Sequence, residues 1–212
     1  MLVYVFNHLL NNIFMKIILS ILVILSSVNI LFAQAPTPKE IVDLKDGRVL
    51  NDNSFIYSLP FEKGTKRRVI QAAFSNLSHK GEIALDFNVK IGTVICAARS
   101  GVVVASYGES NRSGHKAEYM NDGNHVIIEH SDGSQAMYWH LQFKGALVNV
   151  GDSIKVGQII GKSGNTGYSA FPHLHFEVQG KTKDGSTTQI PVRFYTNKGV
   201  KYLKPLKKYK VV

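Results

Sequence analysis

The chain has 212 residues, 44% of them hydrophobic and 19% charged, a composition that suits one domain with a real core and excludes a disordered chain. Its 25 Lys and Arg against 15 Asp and Glu give a formal charge of +10, which draws it to polyanions. A single cysteine, Cys96, excludes an internal disulfide and attachment through a lipidated N-terminal Cys, so stability must come from the core.

From Met15 the sequence reads MKIILSILVILSSVNILFAQAPTPKE: one Lys, a long apolar run, small residues around Ala33, then a polar stretch with prolines. That is the layout of a secretory signal peptide. Residues 1–33 are read as that signal, with translation starting at Met1 or Met15, and the mature chain as exported to the periplasm or the cell exterior. If left uncleaved, residues 17–33 are nearly long enough to span a bilayer, and they would be the chain's one membrane contact. Residues 34–53 are polar with two prolines and read as a linker.

Beyond residue 53, short runs rich in Val, Ile and aromatics (EIALDF, TVICAA, GVVVASY, HVIIEH, QAMYWHL, QIIGKSG, HLHFEV) are separated by Gly-bearing turns such as KIGT, NDGN, SDGS and GNTG. The pattern predicts an all-β domain, mainly antiparallel, over residues 54–181. No stretch after residue 34 sustains helical periodicity for three turns. Cys96, inside the apolar TVICAAR, is read as a buried thiol. Residues 182–212 form a basic extension packing on or following the domain, and its end, KYLKPLKKYKVV, reads as a solvated surface segment.

Successive side chains of a strand point to opposite faces. In HLHFEV, Leu174, Phe176 and Val178 face the core, so His173, His175 and Glu177 share the other face. In EIALDF, Ile83, Leu85 and Phe87 face the core and Asp86 leaves it. In QAMYWHL, Met137, Trp139 and Leu141 are assigned to one face, leaving Ala136, Tyr138 and His140 on the other. Asp86, His140 and the pair His173/His175 thus stand opposite the apolar faces of three separate strands, a site on the open face of a sheet. Imidazole and carboxylate suit zinc, which in a catalytic site takes three protein ligands and a water whose pKa falls to about 7. The donors exceed three, so the surplus histidines act on the substrate. Spacing alone leaves open which of His173 and His175 ligates.

SHKGEIALDF, the GT turn before VICAARSGVVV, MYWHL, and VGDSIKVGQIIGKSGNTGYSAFPHLHFEV together resemble the M23 peptidases, the lysostaphin-like or LytM-type zinc metallopeptidases of bacterial cell walls, from about Tyr57 to Val178. The resemblance implies their fold, a lysostaphin/LytM-like domain with a duplicated hybrid motif. It also implies zinc held by His79, Asp86 and His175, with His140 and His173 as the catalytic pair flanking the metal-bound water. The implied activity is zinc-dependent endopeptidase cleavage of peptide cross-links in peptidoglycan, by a monomer. The alternative is a non-catalytic LytM-type regulator that binds and activates a cell-wall amidase, although known helpers of that kind have lost ligands and this chain retains all five positions. H-E-x-x-H is absent, and no motif supports nucleic-acid binding.

One departure stands out. The common family pattern separates His and Asp by four positions, whereas His79 and Asp86 are seven apart, which on one regular strand would place them on opposite faces. His79 is therefore expected on a turn near Lys80-Gly81. Glu177 either orients a ligand or is a plain exposed Glu. His115, His125 and His130 read as surface or turn residues.

Overall fold

Alternating apolar and polar residues between Gly-bearing turns give sixteen strands among the described residues, which are 39, 42, 56–75, 77–181 and 185–212, all within the unit Phe32–Val212 of this computed structural model. The expected signal peptide lies outside the described residues, as does the expected linker apart from residues 39 and 42, which are helical. Among the described residues no helix is long and apolar enough to cross a membrane. In chain order the first strands are β1 (Ile56–Ser58), β2 (Lys66–Gln71), β3 (Ala84–Asn88), β4 (Val94–Cys96), β5 (Gly101–Tyr107), β6 (Ser113–Gly114), β7 (Asn124–Glu129) and β8 (Gln135–Ala146). They continue as β9 (Ser153–Ile154), β10 (Ile159–Ser163), β11 (Gly167–Tyr168), β12 (His173–Lys181), β13 (Thr187–Gln189), β14 (Arg193–Thr196), β15 (Gly199–Lys201) and β16 (Lys208–Lys210).

The main sheet runs β16-β2-β3-β12-β8-β7-β5-β9, antiparallel at every step, with β10 joining β8 and β4 and with β13 on β12. Two strand pairs are parallel, β1 with β14 and β6 with β11. The all-β, mainly antiparallel architecture expected from the sequence is what forms. One face of the central strands carries the core: Phe87 on β3, Leu174, Phe176 and Val178 on β12, and Val126 and Ile128 on β7 are buried together. Fully burying such a side chain stabilises the fold by about 1.5–3 kcal/mol. Cys96 is buried, as expected.

Two expectations are corrected. On β8 the faces are the reverse of the expected ones over its first half. Ala136 and Tyr138 are buried in the core, whereas Met137 and Trp139 stand opposite Glu177 and His175 on the site face. The alternation then resets at His140, whose φ of 63° is left-handed. The register against β7 slips there, from His125↔Trp139 to Asn124↔Leu141, leaving His140 as the extra residue of a bulge and returning Leu141 to the core. The KYLKPLKKYKVV segment is likewise more than a solvated tail. Its Lys-Tyr-Lys-Val alternation makes β16 an edge strand paired with β2, with Tyr209 and Val211 buried in the main core.

Candidate metal centre

The site is built on the open face of β3, β12 and β8. Asp86 pairs with His175 in the β3–β12 register, and His175 pairs with Trp139 in the β12–β8 register, so three neighbouring strands meet at His175. His79 precedes β3. A turn closed by the Glu82 N–H donating to His79 O at 3.2 Å, with Gly81 at φ 89°, folds it back over the strand. The seven-residue offset is thereby absorbed, and His79 Nε2 lies 3.2 Å from Asp86 Oδ2. His175 Nδ1 lies 3.0 Å from Asp86 Oδ1, and His173 Nε2 lies 3.6 Å from the same oxygen.

Two overlapping sets of donor atoms, His79/Asp86/His175 and His140/His173/His175, each fall within 4.8 Å of one another. All five residues singled out in the sequence are therefore brought to one place. Both ring nitrogens of His79 are buried with no hydrogen-bond partner, although the residue is only 1% exposed. A buried polar atom left without a partner is costly, and a metal ion at Nε2 would satisfy one of the two. The donor set, two imidazoles and a carboxylate, is one that zinc accepts.

The other two histidines are held by backbone carbonyls. His140 Nδ1 donates to Thr166 O at 2.7 Å, and His173 Nδ1 donates to Phe171 O at 2.9 Å. A carbonyl can only accept, so each neutral ring carries its proton on Nδ1 and presents an Nε2 lone pair. Thr166, in the GNTG turn, is itself fixed: its hydroxyl donates to Leu141 O and accepts from the Asn124 N–H. The adjacent Gly167, at φ 81°, passes so close to Gly123 that an added Cβ would sit 2.7 Å from its Cα.

Electrostatics separates the residues. Burial would raise the Asp86 carboxyl, but the hydrogen bond with His175 and the close approach of His79 outweigh it and hold the group well below the usual carboxylate range. Burial also opposes charge on His175, yet its contacts with Asp86 and Glu177 lift it to about 9. His140, buried and beside His173 and His175, is pushed down to about 3, and burial lowers His173 too. At neutral pH the second pair is uncharged.

Two glutamines carry structure that the sequence reading missed. Gln71 Nε2 donates to Asp86 Oδ2 at 2.6 Å and to Ser78 Oγ at 2.7 Å, while its Oε1 accepts from the Ser78 N–H at 2.9 Å. One amide thus ties the residue before His79 to the carboxylate. Gln189 Nε2 donates to Glu177 Oε2, and its Oε1 accepts from the Ile83 N–H at 2.7 Å. Glu177 is buried, also accepts from Gln179, and lies 3.7 Å from His175 Nε2, which favours the orienting role over the exposed one. No periodicity marks Gln71 or Gln189. Only the bulged register that sets Gln71 opposite Asp86, and the β12–β13 pairing, bring them in.

Of the other histidines, His115 is exposed and His125 packs against Trp139 at 4.2 Å between ring centroids. His130 does sit at a turn, where its carbonyl accepts from the Gly133 N–H, but it is buried and so departs from a surface reading.

The family model described as Peptidase family M23 matches residues 78–187, more than half of the chain. Lysostaphin of Staphylococcus simulans is 39% identical over 115 residues, covering 54% of this chain and 21% of that protein. Peptidoglycan DD-endopeptidase ShyC of Vibrio cholerae is 38% identical over 117 residues, 54% of this chain and 23% of that protein. The chain spans less than a quarter of the length of these curated relatives. Among solved structures, the catalytic domain of the antimicrobial peptidase lysostaphin from Staphylococcus simulans is 33% identical, with a TM-score of 0.43 over 59% of this chain and 87% of that one.

Proposed function

Because the chain belongs to peptidase family M23, we propose that it is a zinc-dependent endopeptidase that hydrolyses peptide cross-links of bacterial peptidoglycan, with His79, Asp86 and His175 holding the metal and His140 and His173 acting on the scissile peptide. The observation that carries this reading is the convergence of donor atoms of His79, Asp86 and His175, with both ring nitrogens of His79 buried and without a hydrogen-bond partner. Relatives named lysostaphin and peptidoglycan DD-endopeptidase support the substrate class.

Zinc bound there would supply a Lewis acid and make water acidic enough to attack near neutral pH. The chain supplies the rest. Asp86 and His175 are oriented by Gln71 and Glu177, so the ligand set is fixed before a metal arrives. His140 and His173, uncharged and anchored through Nδ1, present Nε2 lone pairs that accept from the attacking water, and only the ring that takes up its proton gains an Nε2–H able to donate to the developing negative charge. As the water oxygen bonds to the carbonyl carbon, one imidazole takes the proton at Nε2. The C–N bond then breaks and the same imidazole returns that proton to the departing amine.

Digestion of purified peptidoglycan followed by muropeptide analysis tests the proposal. Loss of cross-linked muropeptides, abolished by a chelator and restored by zinc, is the expected result. New reducing ends, or glycan freed with stem peptides intact, would refute it. Residues 1–33 are read as a removable export signal. An exported protein whose intact mass begins near Gln34 supports that, and one retaining residues 15–33 overturns it.

A further inference from the structure

The β2–β16 edge of the main sheet carries four exposed cations: Lys66 and Arg68 on β2, Lys208 and Lys210 on β16. The register sets them directly opposite one another, Lys208↔Arg68 and Lys210↔Lys66. Like charges placed opposite across a strand pair destabilise it, and among the described residues none of the four has an ion-pair partner. The sequence from Arg193 onward, β16 included, contains no Asp or Glu. Lysines on an edge strand discourage edge-to-edge pairing, which accounts for β16. It leaves Lys66 and Arg68 unexplained, because β2 is paired on both sides.

The same registers lead to the candidate centre. Arg68 pairs with Asn88, and Asn88 pairs with His173. Directly paired residues share a face of the sheet, so the cations stand on the face that carries His173. At a strand spacing of about 4.8 Å, Arg68 is about 10 Å and Lys208 about 14 Å from it across the sheet. The platform is firm: Tyr209 and Val211 are buried, and Val211 exchanges backbone hydrogen bonds with Gly64 and Thr65.

We infer that Lys66, Arg68, Lys208 and Lys210 form a binding strip for carboxylates of the peptidoglycan polymer, holding it beside the site of cleavage; the inference rests on the peptidoglycan reading above. The strip lies wholly outside residues 78–187, the segment matched by the family model.

Co-sedimentation of the full chain with insoluble peptidoglycan on ice, across a sodium chloride series, tests it alongside turnover of insoluble peptidoglycan and of a short uncharged cross-link peptide. The variant Arg68→Gln/Lys208→Gln/Lys210→Gln is compared with Lys144→Gln/Lys155→Gln/Lys162→Gln, which removes equal charge from exposed positions elsewhere. The expected result is a tenfold or greater loss of binding and of polymer turnover at low salt in the first variant only, a flattened salt dependence, and unchanged turnover of the short peptide. Equal losses in both variants would reduce the strip to overall charge and overturn the inference, as would no loss in either. Loss of binding when wall-linked phosphate polymers are stripped from the peptidoglycan would also overturn it, since the partner would then be phosphate. If neither substrate is cleaved by the unaltered chain, the peptidase reading fails while the binding measurement still decides the strip.

Discussion

At the scale of single residues the five site groups should divide by metal content. His79→Ala, Asp86→Ala and His175→Ala each remove one of the three donors that converge, and a zinc site left with two is weak. These variants should lose zinc on equilibrium dialysis. His140→Ala and His173→Ala should retain it but lose turnover by about 10²-fold or more, the effect of removing a group that stabilises charge in the transition state. Zinc loss in His173→Ala with retention in His175→Ala would exchange their roles. The two glutamines offer a finer test. Gln71→Leu leaves Asp86 Oδ2 and the Ser78 N–H without their present partner, and Gln189→Leu does the same for Glu177 and the Ile83 N–H. Zinc affinity should fall by about 10- to 100-fold in each, as for other residues that orient metal ligands. Competition with a chromophoric chelator measures it, and unchanged affinity would make both glutamines mere packing.

At the scale of elements, the sequence was legible wherever a strand is regular. HLHFEV alternates without interruption, so Leu174, Phe176 and Val178 were assignable to the core and His173, His175 and Glu177 to the site from parity alone. QAMYWHL was not legible in that way, because parity assumes unbroken alternation and nothing in the residue types announces that His140 is left-handed. His140 reaches the site through the bulge, and holding a non-glycine residue in that conformation costs about 1–3 kcal/mol. The His79 turn was readable because Gly81 follows it and the odd offset demanded a bend. His130 shows what the end of β7 hides. Its Nδ1 donates to Ser100 O, its Nε2 is buried without a partner, and burial chiefly, with the charge on Arg99, lowers its pKa. The unfolded chain therefore takes up a proton near the ordinary value of about 6.5 while the folded chain resists until lower pH. Its contribution to stability is present above about pH 6.5 and is lost as pH falls through that window toward the folded value. Urea unfolding at pH 7.5 and 5.5 should show a smaller decline for His130→Gln than for the unaltered chain. An identical decline would assign the pH dependence to other groups.

At the scale of the whole molecule, the family-matched segment ends at residue 187 but the core does not. Phe194, Leu203, Tyr209 and Val211 are buried in the same cluster as Phe87, Phe176 and Val69. Tyr57 meets both Phe194 and Phe176 edge-on or tilted, so β1 and β14 close over the core face that the site strands leave behind. These late residues were hard to assign from the sequence because lysines surround them, and a basic composition masks an alternation only a few residues long. The consequence is a testable boundary. A chain ending at residue 204 lacks Tyr209 and Val211, each 5% exposed, together with the backbone bonds that β16 makes to β2. Counting about 1.5–3 kcal/mol for each side chain gives a loss of about 3–6 kcal/mol before any hydrogen bond is considered, against a total stability of about 5–15 kcal/mol typical of a domain. The truncated chain should unfold at much lower urea than the full chain and be cut readily by protease, and a chain ending at residue 187 should not fold. A truncation at 204 with an unchanged urea midpoint would show that β16 rests on the domain without supporting it. The carboxylate-binding strip would then be removable with no loss of fold, because two of its four cations leave with that strand.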